Sequence, residues 1–193
     1  KILAMAETLL LDNNQDITLS ELATELDIAK GTIYKHFKSK NQLYLELIIL
    51  NEKRLLELSK KYNPDIKSYV SQYMLYNMLN SNRTILLHVI EERLTNNERK
   101  LKDLFEELYQ IRESRILEIR DLFANHLKAL NSSMSIRDYL SYIWTVTYGA
   151  SLLLNSTHYQ KSIGSRERLI KLYVNQALMT PDKLTEATLE KVE

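Results

Sequence analysis

The sequence of 193 residues has no cysteine, a formal net charge of +1 and 45% hydrophobic residues. The lack of cysteine excludes disulfide-stabilised folds, thiol catalysis and cysteine metal centres. The low net charge means that any affinity for nucleic acid requires local segregation of basic residues. With only 3 glycines and 2 prolines, the composition predicts an all-α fold with enough apolar material for a core.

Two short helices and a turn are predicted near the beginning of the chain, after a first helix. The buried face of that first helix consists of Ile2, Leu3, Ala6, Leu9 and Leu10. A capping box from Thr18 to Glu21 starts the second helix, and a tight turn separates it from a third helix that buries Ile33 and Phe37. Two helices joined in this way form a helix-turn-helix. A second capping box, from Ser39 to Gln42, starts a fourth helix.

A basic strip, defined here as residues 28–45, contains no acidic residue. It includes the third helix and its flanks. Its basic members are Lys30, Lys35, His36, Lys38 and Lys40, with Gly31, Thr32 and Tyr34 between them. Taken singly, a lysine here is better explained as a solvated surface charge, and Tyr34 as half-buried packing. The coincidence of a helix-turn-helix with a strip of one charge sign favours DNA binding instead.

The third helix is expected in the major groove, the usual position in a helix-turn-helix. Gly31 allows close approach of the backbone, and Thr32 can contact a base edge or a thymine methyl group. Lys35 projects toward base edges or the DNA backbone. The remaining candidates for phosphate contact are Lys30, Tyr34, His36 and Lys40.

Residues 29–43, AKGTIYKHFKSKNQL, closely resemble the N-terminal domain of the tetracycline-repressor (TetR-type) family of bacterial transcription regulators. The family pattern is A-K-G-T-[IL]-Y-x-[YH]-F-x-[ST]-K-x-x-L. The resemblance implies that six residues contact DNA, namely Thr18, Lys30, Thr32, Tyr34, His36 and Lys40. It also implies that Lys35 lies at a position that varies between family members and tunes sequence choice. One departure is Asn13-Asn14, where the family often has glycine.

Further helices follow as far as Met179. The predicted order is a helix capped by Asp65 to about Leu79, a helix from Arg83 to Leu94, a long helix ending near Asn131, an uncharged helix capped by Ser135, a loop over 158–164, and a helix from Ser165 to Met179. Pro64 and Pro181 mark boundaries. The run 139–160 lacks charge, but its many Ser, Thr and Asn residues favour burial against protein over a membrane span.

The resemblance implies two domains: a DNA-binding domain over 1–45, and a helical domain over 46–193 that binds a ligand and dimerises. The expected dimer face combines the uncharged helix with the last one, and its members are Tyr142, Val146, Gly149, Leu153, Leu169, Tyr173 and Ala177. The alternative is that these helices form only the core of one chain.

Aromatic and methionine side chains are typical of adaptable apolar pockets, and the candidate pocket residues are Tyr73, Met74, Met78 and His88. Residues of these types at helical spacing are more often core. A metal at His88 with its neighbouring glutamates is not favoured, and no cofactor is expected.

The resemblance therefore predicts a cytoplasmic regulator that is not an enzyme. It would be a repressor that binds a palindromic operator as a homodimer and is released by an unknown small-molecule inducer, with activation as an alternative mode. No P-loop, Gly-x-Gly-x-x-Gly, His-Glu-x-x-His or Gly-x-Ser-x-Gly pattern supports an enzyme. A second alternative is a helical adaptor whose basic strip binds an acidic protein partner.

Overall fold

A computed structural model describes residues 1–13, 16–63, 65–95, 99–162 and 165–179. The regular structure of these residues is helical, which confirms the predicted fold class. The helices are α1 (Ile2–Asn13), α2 (Leu19–Glu25), α3 (Lys30–His36), α4 (Lys40–Tyr62), α5 (Ile66–Leu79), α6 (Ser81–Thr95), α7 (Lys102–Ala129), α8 (Ile136–Asn155), α9 (Thr157–Ser162) and α10 (Arg166–Met179), with a 3-10 turn at Arg99–Leu101.

The capping boxes place the helix starts where the sequence predicts them. The backbone N–H of Glu21 donates to Thr18 Oγ1 at 3.1 Å, and the N–H of Thr18 donates to the Glu21 carboxylate at 2.6 Å. At α4, the N–H of Gln42 donates to Ser39 Oγ at 3.1 Å, but the Gln42 amide oxygen accepts from Lys38 N–H at 3.0 Å. One of the two hydrogen bonds of the second capping box is therefore as predicted. In the other, the Gln42 side chain accepts from the N–H of Lys38 and not from that of Ser39.

The later boundaries agree except at two joins. Asp65 and Ser135 cap α5 and α8. The break before α6 is shorter than expected, because Asn80 alone interrupts the helical backbone and α6 begins at Ser81. The predicted loop over 158–164 was wrong for its first part, which belongs to α9 (Thr157–Ser162). The positions of Asn14, Pro64, Gly164 and Pro181 lie outside the described residues.

Two compact units divide the chain, and they do not coincide with the expected division at residue 45. Unit 1 comprises Lys1–Arg54 and Leu86–Arg112, and unit 2 comprises Leu55–Ile85 and Glu113–Glu193. The segment 86–112 therefore packs with the helix-turn-helix, although more than thirty residues separate them in the sequence. The boundaries of the functional domains, 1–45 and 46–193, stay a prediction.

The core of unit 1 joins the helix-turn-helix to α4 and the second half of α6. Leu43 and Tyr44 on α4 are fully buried, and from α6 the core receives Leu87, Ile90 and Leu94, which are spaced along one helical face. Each such aliphatic side chain contributes about 1.5–3 kcal/mol on burial. Unit 1 thus has its own hydrophobic core, to which residues of the segment 86–112 contribute.

The core of unit 2 combines aliphatic side chains with four buried aromatic ones, and α5, α8 and α10 pack together around it. Tyr69 and Tyr139 lie at ring-centroid distances of 5.8 Å and 5.4 Å from Phe123. The Tyr139 hydroxyl donates to the carbonyl of Ala177 on α10 at 3.0 Å. Among the described residues, no helix is both long enough and apolar enough to cross a membrane.

Candidate nucleic-acid interface

A closed turn positions α3 against the core of unit 1. Asp27 has a φ of 51°, in the left-handed region that Asp tolerates better than most residues. The N–H of Ile28 donates to the carbonyl of Ala23 at 3.0 Å, which closes the turn after α2. Ile33 and Phe37 are 0% and 4% exposed, as predicted. One side of α3 is thereby fixed inward, and the other is presented to solvent.

The solvent side of α3 brings together most of the predicted DNA-contact residues. All of them on this helix are exposed, namely Lys30, Gly31, Thr32, Tyr34, Lys35 and His36. Tyr34 is 52% exposed, so about half of its surface is accessible to a binding partner. A surface of this kind, with one charge sign and hydroxyl donors, is suited to phosphate and base edges.

Gly31 has no packing role within the chain. A Cβ built at Gly31 would meet no atom within 4 Å, and its φ is not in the left-handed region. Alanine at a helical position is more stable than glycine by about 0.5–1 kcal/mol. The glycine is therefore unfavourable for the isolated helix, which agrees with a position where another molecule approaches the backbone.

Thr18 is exposed at the N-terminus of α2, beside the same surface in the helix-turn-helix. Its Oγ1 accepts the N–H of Glu21. Hydrogen bonds from the backbone N–H and the side chain of Thr18 lower the pKa of the Glu21 carboxyl. The Thr18 hydroxyl therefore has to leave that carboxylate in order to donate to a phosphate.

Lys40 is in a different environment from the lysines of α3. Its Nζ lies 3.1 Å from Oδ2 of Asp16, and the guanidinium of Arg93 lies 3.3 Å from Oδ1 of the same carboxylate. The hydrogen bond from Lys40 is the largest cause of the lowered pKa of Asp16. Neither partner lies within the basic strip, and sequence reasoning missed both, because nothing in the local pattern links residues 16, 40 and 93.

Lys38 is a further cation that the list of predicted contacts omitted. It is exposed, and within the described ranges it has no acidic partner. Its position in the basic strip was the sequence feature that could have identified it as a candidate for DNA contact. Lys30, Lys35 and Lys38 therefore carry uncompensated charge on this surface.

A second ion-pair cluster holds the segment 86–112 in unit 1. Arg112 donates from Nε to Glu52 at 3.1 Å, and from its two terminal nitrogens to Glu91 at 2.6 and 2.8 Å. These carboxylates raise the pKa of Arg112 against the opposing effect of burial. The bidentate pair connects α7 with α6, and the hydrogen bond to Glu52 connects α7 with α4 in the same unit.

The predicted pocket residues fall in both units. Tyr73, Met74 and Met78 are at most 7% exposed and belong to the core of unit 2, whereas His88 belongs to unit 1. Unit 2 also has an open groove of about 420 Å³, whose lining is Glu57, Leu58, Lys61, Tyr62, Gln72, Leu75, Tyr76, Leu79 and Asn80. None of the four predicted residues lines this groove, so their assignment to a ligand pocket stays a prediction.

The predicted dimer residues lie on α8 and α10, which pack against each other. Six of the seven keep some surface, and those six are Tyr142, Val146, Gly149, Leu153, Leu169 and Tyr173. Ala177 is 0% exposed within the single chain, so it supports this face from behind. The same two helices also expose the apolar residues Trp144, Leu152 and Leu172 by 52%, 56% and 49%.

Comparisons with known proteins agree with this geometry at the N-terminal end. Residues 2–47 match the family of bacterial regulatory proteins described as the tetR family. The HTH-type transcriptional regulator QacR of Staphylococcus aureus is 34% identical over 80 residues, which are 41% of this chain and 43% of QacR. The HTH-type transcriptional regulator AcrR of Shigella flexneri is 32% identical over 84 residues, which are 44% of this chain and 35% of AcrR. The matched regions thus cover less than half of each relative, and both relatives are named as regulators, in keeping with the prediction of a regulator and not an enzyme.

Proposed function

We propose that the chain is a ligand-responsive repressor of the tetR family, because residues 2–47 match the N-terminal domain of these bacterial regulators. In this proposal it acts in the cytoplasm and binds a palindromic operator as a homodimer. A small-molecule inducer bound by the helical domain releases it. The observation that carries the proposal is the solvent side of α3.

The charge distribution of that side supports DNA over other polyanions. Lys30 and Lys35 are separated by little more than one helical turn, and Thr32 and Tyr34 lie between them with their hydroxyls exposed. Lysines contribute affinity that does not depend on sequence, by displacing counterions from phosphates. Short hydroxyl side chains at the beginning of a recognition helix can contact base edges and so contribute selectivity.

Dimerisation is supported by the exposed faces of α8 and α10. A Cβ at Gly149 would meet no atom within 4 Å, so the single chain does not require glycine there, whereas close approach of a second helix would. Trp144, Leu152 and Leu172 add exposed apolar surface on the same pair of helices. A two-fold dimer would place two copies of α3 in successive major grooves, about 34–36 Å apart.

Ligand binding is supported only by features of unit 2. The groove of about 420 Å³ has an aromatic and aliphatic lining with few charges, and its size is in the range of small-molecule sites. A ligand that binds one conformation of the dimer better than the other would shift the distance between the two copies of α3.

Selection of duplexes from a random library by the full chain tests the proposal. We expect enriched sequences with two inverted half-sites, and binding that weakens steeply with salt. Tyr34→Ala should lower affinity for the selected duplex about tenfold, since it removes a contact worth about 1–2 kcal/mol. Lys128→Ala on α7 is the matched control for an exposed residue elsewhere, and it should leave affinity unchanged.

Enrichment of no sequence, together with equal and weak binding of all duplexes, would contradict the proposal. The helical adaptor with an acidic protein partner would then be favoured. A second outcome would contradict only the homodimer. In it, the free chain sediments as a monomer at micromolar concentration and the selected duplexes contain single half-sites, so that DNA binding by the chain is still supported.

A further inference from the structure

Asp16 is the centre of a cluster in unit 1 that contains a predicted phosphate contact. Besides its ion pairs with Lys40 and Arg93, Oδ1 of Asp16 accepts a hydrogen bond from the Tyr44 hydroxyl at 3.2 Å. That hydroxyl also accepts the N–H of Ile17 at 2.9 Å, and Tyr44 is 0% exposed. The carboxylate is therefore held in place by a buried side chain and is more than a chance surface neighbour.

The two cations approach Asp16 by different oxygens and from different helices. Lys40, the first residue of α4, contacts Oδ2, and Arg93 of α6 contacts Oδ1. Both cations also lie 5.8 Å from the centroid of the Tyr44 ring. One carboxylate thus serves two cations, and each cation reduces the hold of Asp16 on the other.

We propose that Asp16 is a positioning residue for DNA binding, which competes with DNA phosphate for Lys40 while Arg93 weakens that competition. The inference rests on the proposed function, because it assumes that Lys40 meets DNA. The side chains of Lys40 and Asp16 are 37% and 52% exposed. Ion pairs with this exposure are weak in water, so a phosphate can replace the carboxylate.

Replacement of Asp16 by a phosphate at Lys40 should change how strongly the DNA affinity depends on salt concentration. When a lysine binds a phosphate, counterions leave the DNA and the salt slope steepens by about 0.9 for each phosphate neutralised. If Lys40 must first leave Asp16, added salt weakens the ion pair that it leaves as well, and this cancels much of that salt dependence. Lys40 should therefore contribute little to the salt slope of the native protein, and its full share once Asp16 is neutral.

Arg93 makes this competition depend on the position of α6. Leu87, Ile90 and Leu94 of the same helix are buried in the core of unit 1, so Arg93 moves only if that packing shifts. With Arg93 withdrawn, both oxygens of Asp16 are available to Lys40, and DNA affinity falls. The cluster would thus convert a displacement of α6 into a change in the charge offered to DNA.

Fluorescence anisotropy of the full chain with a selected duplex and a mixed-sequence duplex of equal length, over a series of salt concentrations, tests this inference. We expect Asp16→Asn to bind about three- to tenfold more tightly at low salt, with a slope steeper by about 0.9. Asp27→Asn is the matched control: it removes an exposed carboxylate beside α3 that has no ion-pair partner in the part of the chain that the structure describes. It should raise affinity slightly without steepening the slope.

Two mutant cycles separate competition from simple repulsion. Lys40→Ala should reduce affinity less than twofold in the native background and about fivefold in the Asp16→Asn background, as expected for directly coupled residues. Arg93→Gln should reduce affinity about threefold when Asp16 is present and much less when it is asparagine. Asp16→Glu, which keeps the carboxylate, should keep the native slope.

A cost of Lys40→Ala that is equal in both backgrounds, or an Asp16→Asn slope equal to that of Asp27→Asn, would overturn the inference while the native chain still binds DNA. Asp16→Ser is a second variant without the carboxylate, used if Asp16→Asn loses its helical circular dichroism. Failure of the native chain to bind either duplex would instead overturn the proposed function, and the inference with it.

Discussion

The internal packing of unit 1 and that of unit 2 rely on different interactions. In unit 1, charged side chains distant in sequence pair with one another: Arg54 with Glu7 at 2.6 Å, Arg112 with Glu91 at 2.6 Å, and Lys53 with Glu107 at 2.7 Å. In unit 2, the ion pairs described join close sequence neighbours, such as Lys171 with Glu167, and four aromatic side chains are buried in the core.

This difference explains how a nearly neutral protein presents a basic surface. The acidic residues of unit 1 named above are paired with Lys53, Arg54 and Arg112, none of which belongs to α3. The lysines of the strip at 30, 35 and 38 keep their charge uncompensated within the described residues. The ion pairs of unit 1 thus have two effects, which are to join segments 1–54 and 86–112 and to segregate charge.

Truncation of the aromatic core should have the largest effect. Phe123→Ala removes a 0% exposed ring from unit 2 and should lower the free energy of unfolding by about 3–5 kcal/mol. Urea denaturation followed by circular dichroism measures it, with the exposed Leu117→Ala on the same helix as control. A loss under 1 kcal/mol would mean that unit 2 does not depend on this core.

Breaking the ion pairs of Arg112, which lie in unit 1, should cause the next largest loss of stability. The Arg112 side chain is 27% exposed and its partner Glu52 only 9%, so Arg112→Ala should destabilise by about 2–3 kcal/mol, below the value for a fully buried pair. The exposed local pair offers the control: Lys171→Ala should change stability by less than about 0.5 kcal/mol. Equal losses from the two substitutions would remove the distinction between the units.

Alkaline pH should destabilise both units through one buried tyrosine each. Burial raises the pKa of Tyr44 in unit 1 and of Tyr139 in unit 2 to about 12. The folded protein keeps these phenols neutral while the unfolded chain ionises, so this stability is complete below about pH 10 and falls as the pH approaches 12. The expected loss is about 1–2 kcal/mol per tyrosine.

Denaturation midpoints between pH 9 and 11.5 measure this loss, using Tyr44→Phe and Tyr139→Phe. Each variant should lose a hydrogen bond at neutral pH and show a shallower alkaline decline than the native chain. The exposed Tyr34→Phe is the control and should follow the native curve. An alkaline decline that neither buried-site variant alters would contradict the assignment.

The smallest effect, at Gly31, separates stability from binding. Gly31→Ala should stabilise the chain by about 0.5–1 kcal/mol, because alanine is the better helix former and no atom lies in its way. The same variant should bind the selected duplex less tightly. Thermal unfolding and anisotropy measure the two quantities, and a variant that is both more stable and fully active would leave the glycine unexplained.

The sequence sufficed where the determinants are local. The capping pair Thr18 and Glu21 and the inward residues Ile33 and Phe37 lie within a turn or two of each other, so spacing alone places them. The pairing of Asp16 with Arg93 could not be predicted, because it depends on side chains far apart in the chain. The pocket assignment stays a prediction, since Met74 and Met78 are equally suited to a closed core and the structure places them in the core of unit 2.

The most direct measurement is the salt slope of DNA binding by a chain in which Lys30, Lys35 and Lys38 are all changed to alanine. If these uncompensated lysines neutralise phosphates, the slope should become shallower by about 2–3 units relative to the native chain. A variant with three exposed lysines of other helices replaced, Lys67, Lys102 and Lys128, should keep the native slope. An equal slope for all three proteins would contradict the proposal that the solvent side of α3 and the adjoining Lys38 bind DNA.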